Sequence, residues 1–163
     1  MVDFRFKAQV WVFGSDIDTD QIVPGSYLTS PVEEQSRHAF EAISPGFAEQ
    51  FRKGCALVAG TNFGCGSSRE SAPEVLKHLG VSAVIAESFA RIFFRNAIAI
   101  GLPVLVCPGV TEHVRQGEEV EVDLEKATVT RVAERRVLEA VPLNEIMLES
   151  LRKGGIMKLL SAD

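Results

Sequence analysis

Apolar and polar positions change rhythm along this chain, and the changes mark out its elements. Lys7–Phe13 (KAQVWVF) reads as a first strand, ended by Gly14 and the polar run Ser15-Asp16-Ile17-Asp18-Thr19-Asp20. Pro24-Gly25 and Ser30-Pro31 punctuate the loop that follows. Glu33–Phe40 and Phe47–Arg52 read as short helices separated by Ser44-Pro45-Gly46. Cys55–Ala59 (CALVA) is a short, unbroken apolar run, as expected of a strand buried on both faces. The pattern then predicts a helix through Leu79 stopped by Gly80, a strand over Val81–Ala86, and a helix over Phe89–Ile100. Gly101-Leu102-Pro103 ends that helix, and Val104–Cys107 is a third buried strand.

Strand–helix–strand–helix–strand implies parallel pairing. The C-terminal third differs. Glu119–Leu124, Thr128–Val132 and Arg136–Leu138 alternate apolar and polar residues, as antiparallel strands with one wet face do. Leu143–Lys153 is a final amphipathic helix before Gly154-Gly155. The expected fold is α/β, with a parallel central sheet and an antiparallel addition. The expected organisation is one domain over residues 1–163, since a domain usually takes about 100–200 residues.

Composition narrows the function classes. At 46% hydrophobic, the chain can bury a sizeable core. Its formal net charge is −5 and its basic residues form no block, which argues against nucleic acid as a partner. The longest apolar segment, Ile92–Val106, is interrupted by Arg95, Asn96, Gly101 and Pro103, so no stretch approaches the ~20 apolar residues of a membrane span. Met1–Trp11 has no signal-peptide layout, and the expected location is the cytoplasm. Three cysteines, Cys55, Cys65 and Cys107, include no CxxC pair. Their spacing suits neither a disulfide framework nor a self-contained iron–sulfur site, and no metal is expected on this chain.

Candidate chemistry gathers between the Cys55–Ala59 strand and the next helix, in Gly64-Cys65-Gly66-Ser67-Ser68-Arg69. In open parallel sheets ligands sit beyond the carboxyl ends of the strands, where helix N-termini present free N–H groups. Two glycines let a ligand approach the backbone, and the Arg69 fork with the Ser68 hydroxyl suits a carboxylate. Spacing alone leaves other readings open. Ser67-x-x-Glu70 and Ser71-x-x-Glu74 both fit a helix capping box. A phosphate site is the other rival, although the segment lacks the lysine of a P-loop and the third glycine of a dinucleotide fingerprint.

A resemblance adds to these readings. Val58–Glu70 (VAGTNFGCGSSRE) closely resembles the signature of the swivelling domains of the aconitase family. Asp16–Pro24 (DIDTDQIVP), Glu87–Asn96 (ESFARIFFRN) and Gly101-Leu102-Pro103 continue the similarity in the expected order. The chain also ends where free-standing small subunits of isopropylmalate isomerase and homoaconitase end. The resemblance implies a three-layer β/β/α fold. It implies a hydro-lyase that isomerises a 2-hydroxy diacid by dehydration and rehydration, active only with a large subunit that carries a 4Fe-4S cluster. It implies Ser67 as the catalytic serine, taking a proton from the carbon beside the hydroxyl-bearing one. Ser68 and Arg69 match carboxylate-binding positions, and Thr19 and Asp20 match active-site positions in the first loop, Asp20 orienting its neighbours.

The same resemblance assigns substrate choice to Tyr27-Leu28-Thr29. Relatives that prefer homoaconitate can carry arginine at the place of Thr29, which has no charge, while Tyr27 and Leu28 suit an isopropyl group. The expectation is therefore isopropylmalate isomerisation in leucine biosynthesis, with homoaconitase and dimethylmalate dehydratase subunits as alternatives. A non-catalytic anion- or partner-binding module is the rival from another class, and a redox protein using Cys65 is a third. Cys65 is expected to be a small packing residue. Arg91 and Arg95, four apart on one helix, fit substrate or partner contacts and surface ion pairs equally well. His38, His78 and His113 are expected to be scattered and exposed, and Trp11 to be core or interface. The assembly is expected to be a heterodimer or heterotetramer, with self-association of the isolated chain through its exposed face. Few anchors are expected for the Thr29–Arg37 loop.

Overall fold

Residues 3–161 are described by a computed structural model. Four strands come first: β1 (Arg5–Val12), β2 (Ala56–Ala59), β3 (Val84–Ala86) and β4 (Val104–Val106). β5 (Glu119–Asp123), β6 (Thr128–Arg131) and β7 (Arg136–Glu139) follow. They form one mixed sheet in the order β4-β3-β2-β1-β5-β6-β7. β1 pairs in parallel with β2 and antiparallel with β5, through different stretches. Val10, Trp11 and Val12 face Ala56, Leu57 and Val58, whereas Arg5–Gln9 run against Glu119–Asp123. The first strand in sequence is thus the hinge between the parallel half and the antiparallel addition.

Burial follows the hydrophobic pattern. Every residue of β2 and β3 is buried, as their unbroken apolar runs require, and β5 alternates, burying Val120 and Val122. Leu57, Val58, Ile85 and Leu105 of the parallel half share one core with Val120, Val122, Val129 and Leu138 of the antiparallel half. Each such side chain contributes roughly 1.5–3 kcal/mol on burial, largely offset by the entropy of ordering the chain.

The helices are α1 (Thr19–Ile22), α2 (Val32–Arg37), α3 (Phe47–Gln50), α4 (Ser71–Leu79), α5 (Arg91–Ile100), α6 (Val110–His113), α7 (Glu145–Lys153) and α8 (Ile156–Ser161). α2 packs on α4, α4 on α5, and α5 on both α7 and α8, which makes a helical layer beside the parallel strands. Gly80, Gly101 and Gly154 stop α4, α5 and α7 where the pattern predicts. A Cβ on Gly101 would lie 2.6 Å from the carbonyl carbon of Gly154, so the C-terminal ends of α5 and α7 meet backbone to backbone. The pattern does not predict α8. Gly154-Gly155 reads as a terminus, and six residues are too few to nucleate a helix alone; contact with α5 and α7 stabilises it.

Two expectations are corrected here. The Thr29–Arg37 segment is well anchored, because most of it is α2, whose Gln35 and Ser36 are buried. His38 is not a free surface histidine. Its ring stacks on Tyr27 at a centroid distance of 3.7 Å and bonds to Glu41 at 2.7 Å, and that hydrogen bond pushes its pKa above the ordinary value. Trp11 is half-buried and meets Phe47 edge-on, with ring centroids 4.8 Å apart.

Candidate functional site

Three loops leave the carboxyl ends of β1, β2 and β3 and are laced together. Gly60 N–H donates to Gly14 O at 3.0 Å, Asp16 N–H to Thr61 O at 2.8 Å, and Gly64 N–H to Ile17 O at 2.7 Å. On the other side Phe63 N–H donates to Ser88 O at 3.1 Å and Ala90 N–H to Phe63 O at 2.9 Å. The Ser15 and Ser88 hydroxyls accept the Thr61 and Asn62 amides. The glycine-rich turn is therefore clamped from both flanks. Phe63 reinforces this by packing edge-to-face on Phe93 of α5, with ring centroids 5.2 Å apart.

That clamp leaves a cleft of about 580 Å³ at the strand ends, within the usual range of about 300–1,000 Å³ for small-molecule pockets. Thr19, Ser67, Ser68 and Arg69 all line it. Ser67 is exposed in the cleft, and among the described residues its hydroxyl has no hydrogen-bond partner. Its backbone is nonetheless pinned, because the Thr19 hydroxyl donates to Ser67 O at 2.8 Å and Thr19 N–H to Cys65 O at 2.9 Å. Thr19 is itself fixed by Asp18, which caps α1 in a reciprocal box with Gln21.

The helix-cap reading of the serines does not hold. α4 begins at Ser71 with Glu70 at the cap and no side-chain cap bond. Ser67 lies outside the helix, so its hydroxyl is left to the cleft.

Arg69 is held from behind. Its Nη1 donates to Asp20 Oδ1 at 3.2 Å and to Val23 O at 3.0 Å, and Gly25 N–H donates to the same Asp20 oxygen at 3.0 Å. Among the described residues Nε and Nη2 have no partner, so the fork keeps donors for an incoming anion. Asp20 is outside the cleft lining and acts on it through Arg69. Tyr27, Leu28 and Thr29 are also outside the lining. They follow Gly25 on the Arg69 side, held by Gln35 Nε2, which donates to Tyr27 O at 3.1 Å and Leu28 O at 3.2 Å.

The opposite wall is the first two turns of α5, which supply Arg91, Ile92, Phe93, Arg95 and Asn96. α5 carries no side-chain cap, and its first internal bond is Phe94 N–H to Ala90 O, so among the described residues the Arg91, Ile92 and Phe93 amides at its start have no acceptor. Both arginines are exposed, and among the described residues neither has a carboxylate within 4.0 Å. Sequence spacing left Arg91 and Arg95 open between substrate or partner contacts and surface ion pairs; both line the cleft, and among the described residues neither makes an ion pair.

Among the described residues no three His, Cys, Asp or Glu side chains gather as a metal site. Cys55 precedes β2 and Cys65 follows it, so they sit at opposite ends of the sheet; Cys107 is buried after β4. Burial, then the charges of Asp18 and Asp16, push the Cys65 thiol above its ordinary pKa, which disfavours a reactive thiolate. Burial likewise pushes Cys107 up to about 11.

The sequence matches the aconitase C-terminal domain family over residues 19–108. It is 48% identical over 158 residues to the 3-isopropylmalate dehydratase small subunit 1 of Methanopyrus kandleri, spanning 96% of this chain and 93% of that protein. It is also 48% identical over 152 residues to the methanogen homoaconitase small subunit of Methanothermobacter thermautotrophicus, spanning 93% and 88%. The fold is similar to the crystal structure of 3-isopropylmalate dehydratase from Methanocaldococcus jannaschii, with a TM-score of 0.89 and 38% identity over 96% and 93% of the two chains.

Proposed function

The chain belongs to the aconitase C-terminal domain family, and from that membership we propose that it is the small subunit of a 3-isopropylmalate dehydratase. It acts as a single domain, in the cytoplasm, in leucine biosynthesis. With a large subunit it interconverts 2- and 3-isopropylmalate by dehydration and rehydration. The observation that carries the site assignment is the meeting of Thr19, Ser67, Ser68 and Arg69 on one cleft, with the Ser67 hydroxyl unengaged.

In this reading Ser67 takes the proton from the carbon beside the hydroxyl-bearing one. A serine alkoxide is a strong base only where its charge is stabilised, and the exposed backbone amides at the cleft and the Arg69 guanidinium favour that charge. Arg69 and Ser68 hold a substrate carboxylate, while Asp20 positions Arg69 through Nη1. Thr19 sets the position of the Ser67 backbone. The three cysteines offer no cradle for the four-iron cluster that the family relationship implies, so we assign it to the large subunit. Departure of hydroxide lies with that subunit.

Identity at the same level to a dehydratase and a homoaconitase subunit leaves the substrate to local residues. Tyr27-Leu28-Thr29 carries no charge, and an additional carboxylate brought there would be left unpaired. Mixing the chain anaerobically with its cognate large subunit and following alkene absorbance tests the reading. Turnover is expected only in the mixture, with isopropylmalate preferred over homocitrate and dimethylmalate by at least about tenfold in kcat/KM. Preference for homocitrate would move the assignment to homoaconitase. A formed complex with an intact cluster and no turnover on any of the acids would favour a binding module.

The same assay disposes of the redox alternative. Cys65→Ser in the mixture is expected to retain activity within about threefold, since a thiol of raised pKa supplies little thiolate. A loss of a hundredfold with assembly intact would give Cys65 a chemical role.

A further inference from the structure

The α5 wall continues past the cleft. Arg91 and Arg95 line the cleft on one side, and on the other they edge a hollow of about 420 Å³ floored by Phe89, Phe94 and Met147. Phe94, Arg95 and Met147 lead on into a second hollow of about 190 Å³, closed by Ile98, Ile146 and Ile156 where α5, α7 and α8 meet. Each depression shares residues with the next, so they lie side by side along α5 and make a row of hollows, a groove interrupted by the two arginines, from the cleft to the α7–α8 corner.

Its chemistry changes along its length. The cleft end mixes polar and apolar lining, and the far end is almost wholly apolar. Ile146 at that end is 69% exposed and Ile92 at the near end is 51% exposed. Ile146 shares its hollow with half-buried Phe94 and Met147, a patch of the kind that marks an interaction surface. Arg91 and Arg95 stand between the two ends. In a chain of net charge −5 they are two adjacent cations with no carboxylate partner among the described residues.

The geometry points to this groove as the docking surface for the large subunit, an inference that rests on the two-subunit reading above. An apolar segment of that chain fills the hollow between Phe94, Met147 and Ile146, and acidic side chains beside it pair with Arg91 and Arg95. Two features select this occupant. The groove opens into the cleft across the first turn of α5, so a chain that faces Ser67 has to cross that rim. A second copy of this chain is disfavoured by symmetry. A two-fold interface here would bring Arg91 and Arg95 of both copies into one seam, four guanidinium groups with only Glu145 of each copy, next to Ile146, as a nearby carboxylate.

The test is the affinity of the purified chain for its cognate large subunit by calorimetry, alongside turnover of the mixture. Ile146→Asp is expected to raise Kd at least tenfold, with kcat restored to within twofold by saturating large subunit. Arg95→Glu, which reverses one charge and leaves Phe94, Met147 and Ile146 in place, is expected to raise Kd by a similar factor. Val137→Asp, a control at a 56% exposed position on β7, is expected to leave Kd unchanged. Ile146 is mostly exposed, so the variant is expected to melt with the wild type, and Arg95→Glu supplies a second variant if it does not. An active wild-type mixture with unchanged Kd for both variants would overturn the docking surface and leave the two-subunit reading standing. Self-association of the free chain abolished by Ile146→Asp, with large-subunit affinity untouched, would make the groove an interface between copies. Failure of the wild type to bind the large subunit at all would overturn both.

Discussion

Ser67→Ala is expected to lower kcat of the assembled enzyme by roughly 10²–10⁴-fold, the range associated with a positioned general base. Complex formation and thermal stability should stay at wild-type values. The structure separates these effects. The Ser67 contact that organises the loop is its backbone carbonyl, which accepts from the Thr19 hydroxyl at 2.8 Å and survives in alanine. The side-chain hydroxyl has no partner among the described residues and caps no helix, so its removal is expected to change stability by less than about 0.5 kcal/mol. A serine that served only to cap or to pack would give the opposite result, a lower melting temperature with kcat nearly intact. Single-turnover measurements with saturating large subunit make the comparison, because they read the chemical step apart from subunit affinity. Activity within a few-fold of wild type would remove Ser67 from the chemistry and favour an anion- or partner-binding module.

Gly64→Ala is expected to be the most destabilising small substitution in the site. Gly64 has φ +85, a left-handed conformation that costs an L-residue roughly 1–2 kcal/mol. A Cβ there would lie 2.3 Å from Cγ of Phe93, a buried residue of α5 with little room to retreat. Overpacking of this kind costs typically about 1–3 kcal/mol, so the combined loss is about 2–5 kcal/mol. Melting should fall by roughly 5–20 °C for a chain of this length. The loss should not be additive with a smaller residue at position 93. Gly64→Ala with Phe93→Leu is expected to recover part of the stability relative to the sum of the single effects, because the two share one contact. Urea unfolding of the four proteins in the cycle measures this. A single-mutant loss below about 1 kcal/mol would mean that the turn is not wedged against α5. Activity should fall with stability here, since Gly64 lies between the clamped Phe63 and the Ser67 segment.

These two residues mark the division between what was legible in the chain and what was not. Gly64, Gly66 and Ser67 could be singled out from their place between an apolar run and a helix, and the roles proposed for Ser67, Ser68 and Arg69 come from the resemblance. The buried strands β2 and β3, the alternating β5, β6 and β7, and the glycine stops of α4, α5 and α7 are all visible in hydrophobic rhythm. Each depends on residues only a few positions apart. The helix-cap alternative stays open in the sequence for the same reason. Ser67-x-x-Glu70 satisfies a local spacing rule, and the rule cannot tell that the clamp on Phe63 and Gly64 holds the chain outside the helix until Ser71.

What the tertiary structure decided is everything that joins distant positions. Thr19 reaches Ser67, and Asp20 reaches Arg69, only because β1 lies beside β2 and its loop folds over the same strand ends. No pattern along the chain places β1 between β2 and β5, since sheet order is set by which faces bury together. The placing of Arg91 and Arg95 at the cleft arises where α5 meets the glycine-rich turn, and the apolar hollow beyond them arises where α5, α7 and α8 meet. Sequence by itself determined most of the elements and their burial, because those rest on local periodicity and backbone conformation, and it singled out the glycine-rich loop to which the resemblance assigns the chemistry. Which side chains share a cleft, and which face is left for a partner, followed from packing across the sheet, where the contacting residues stand far apart in the chain.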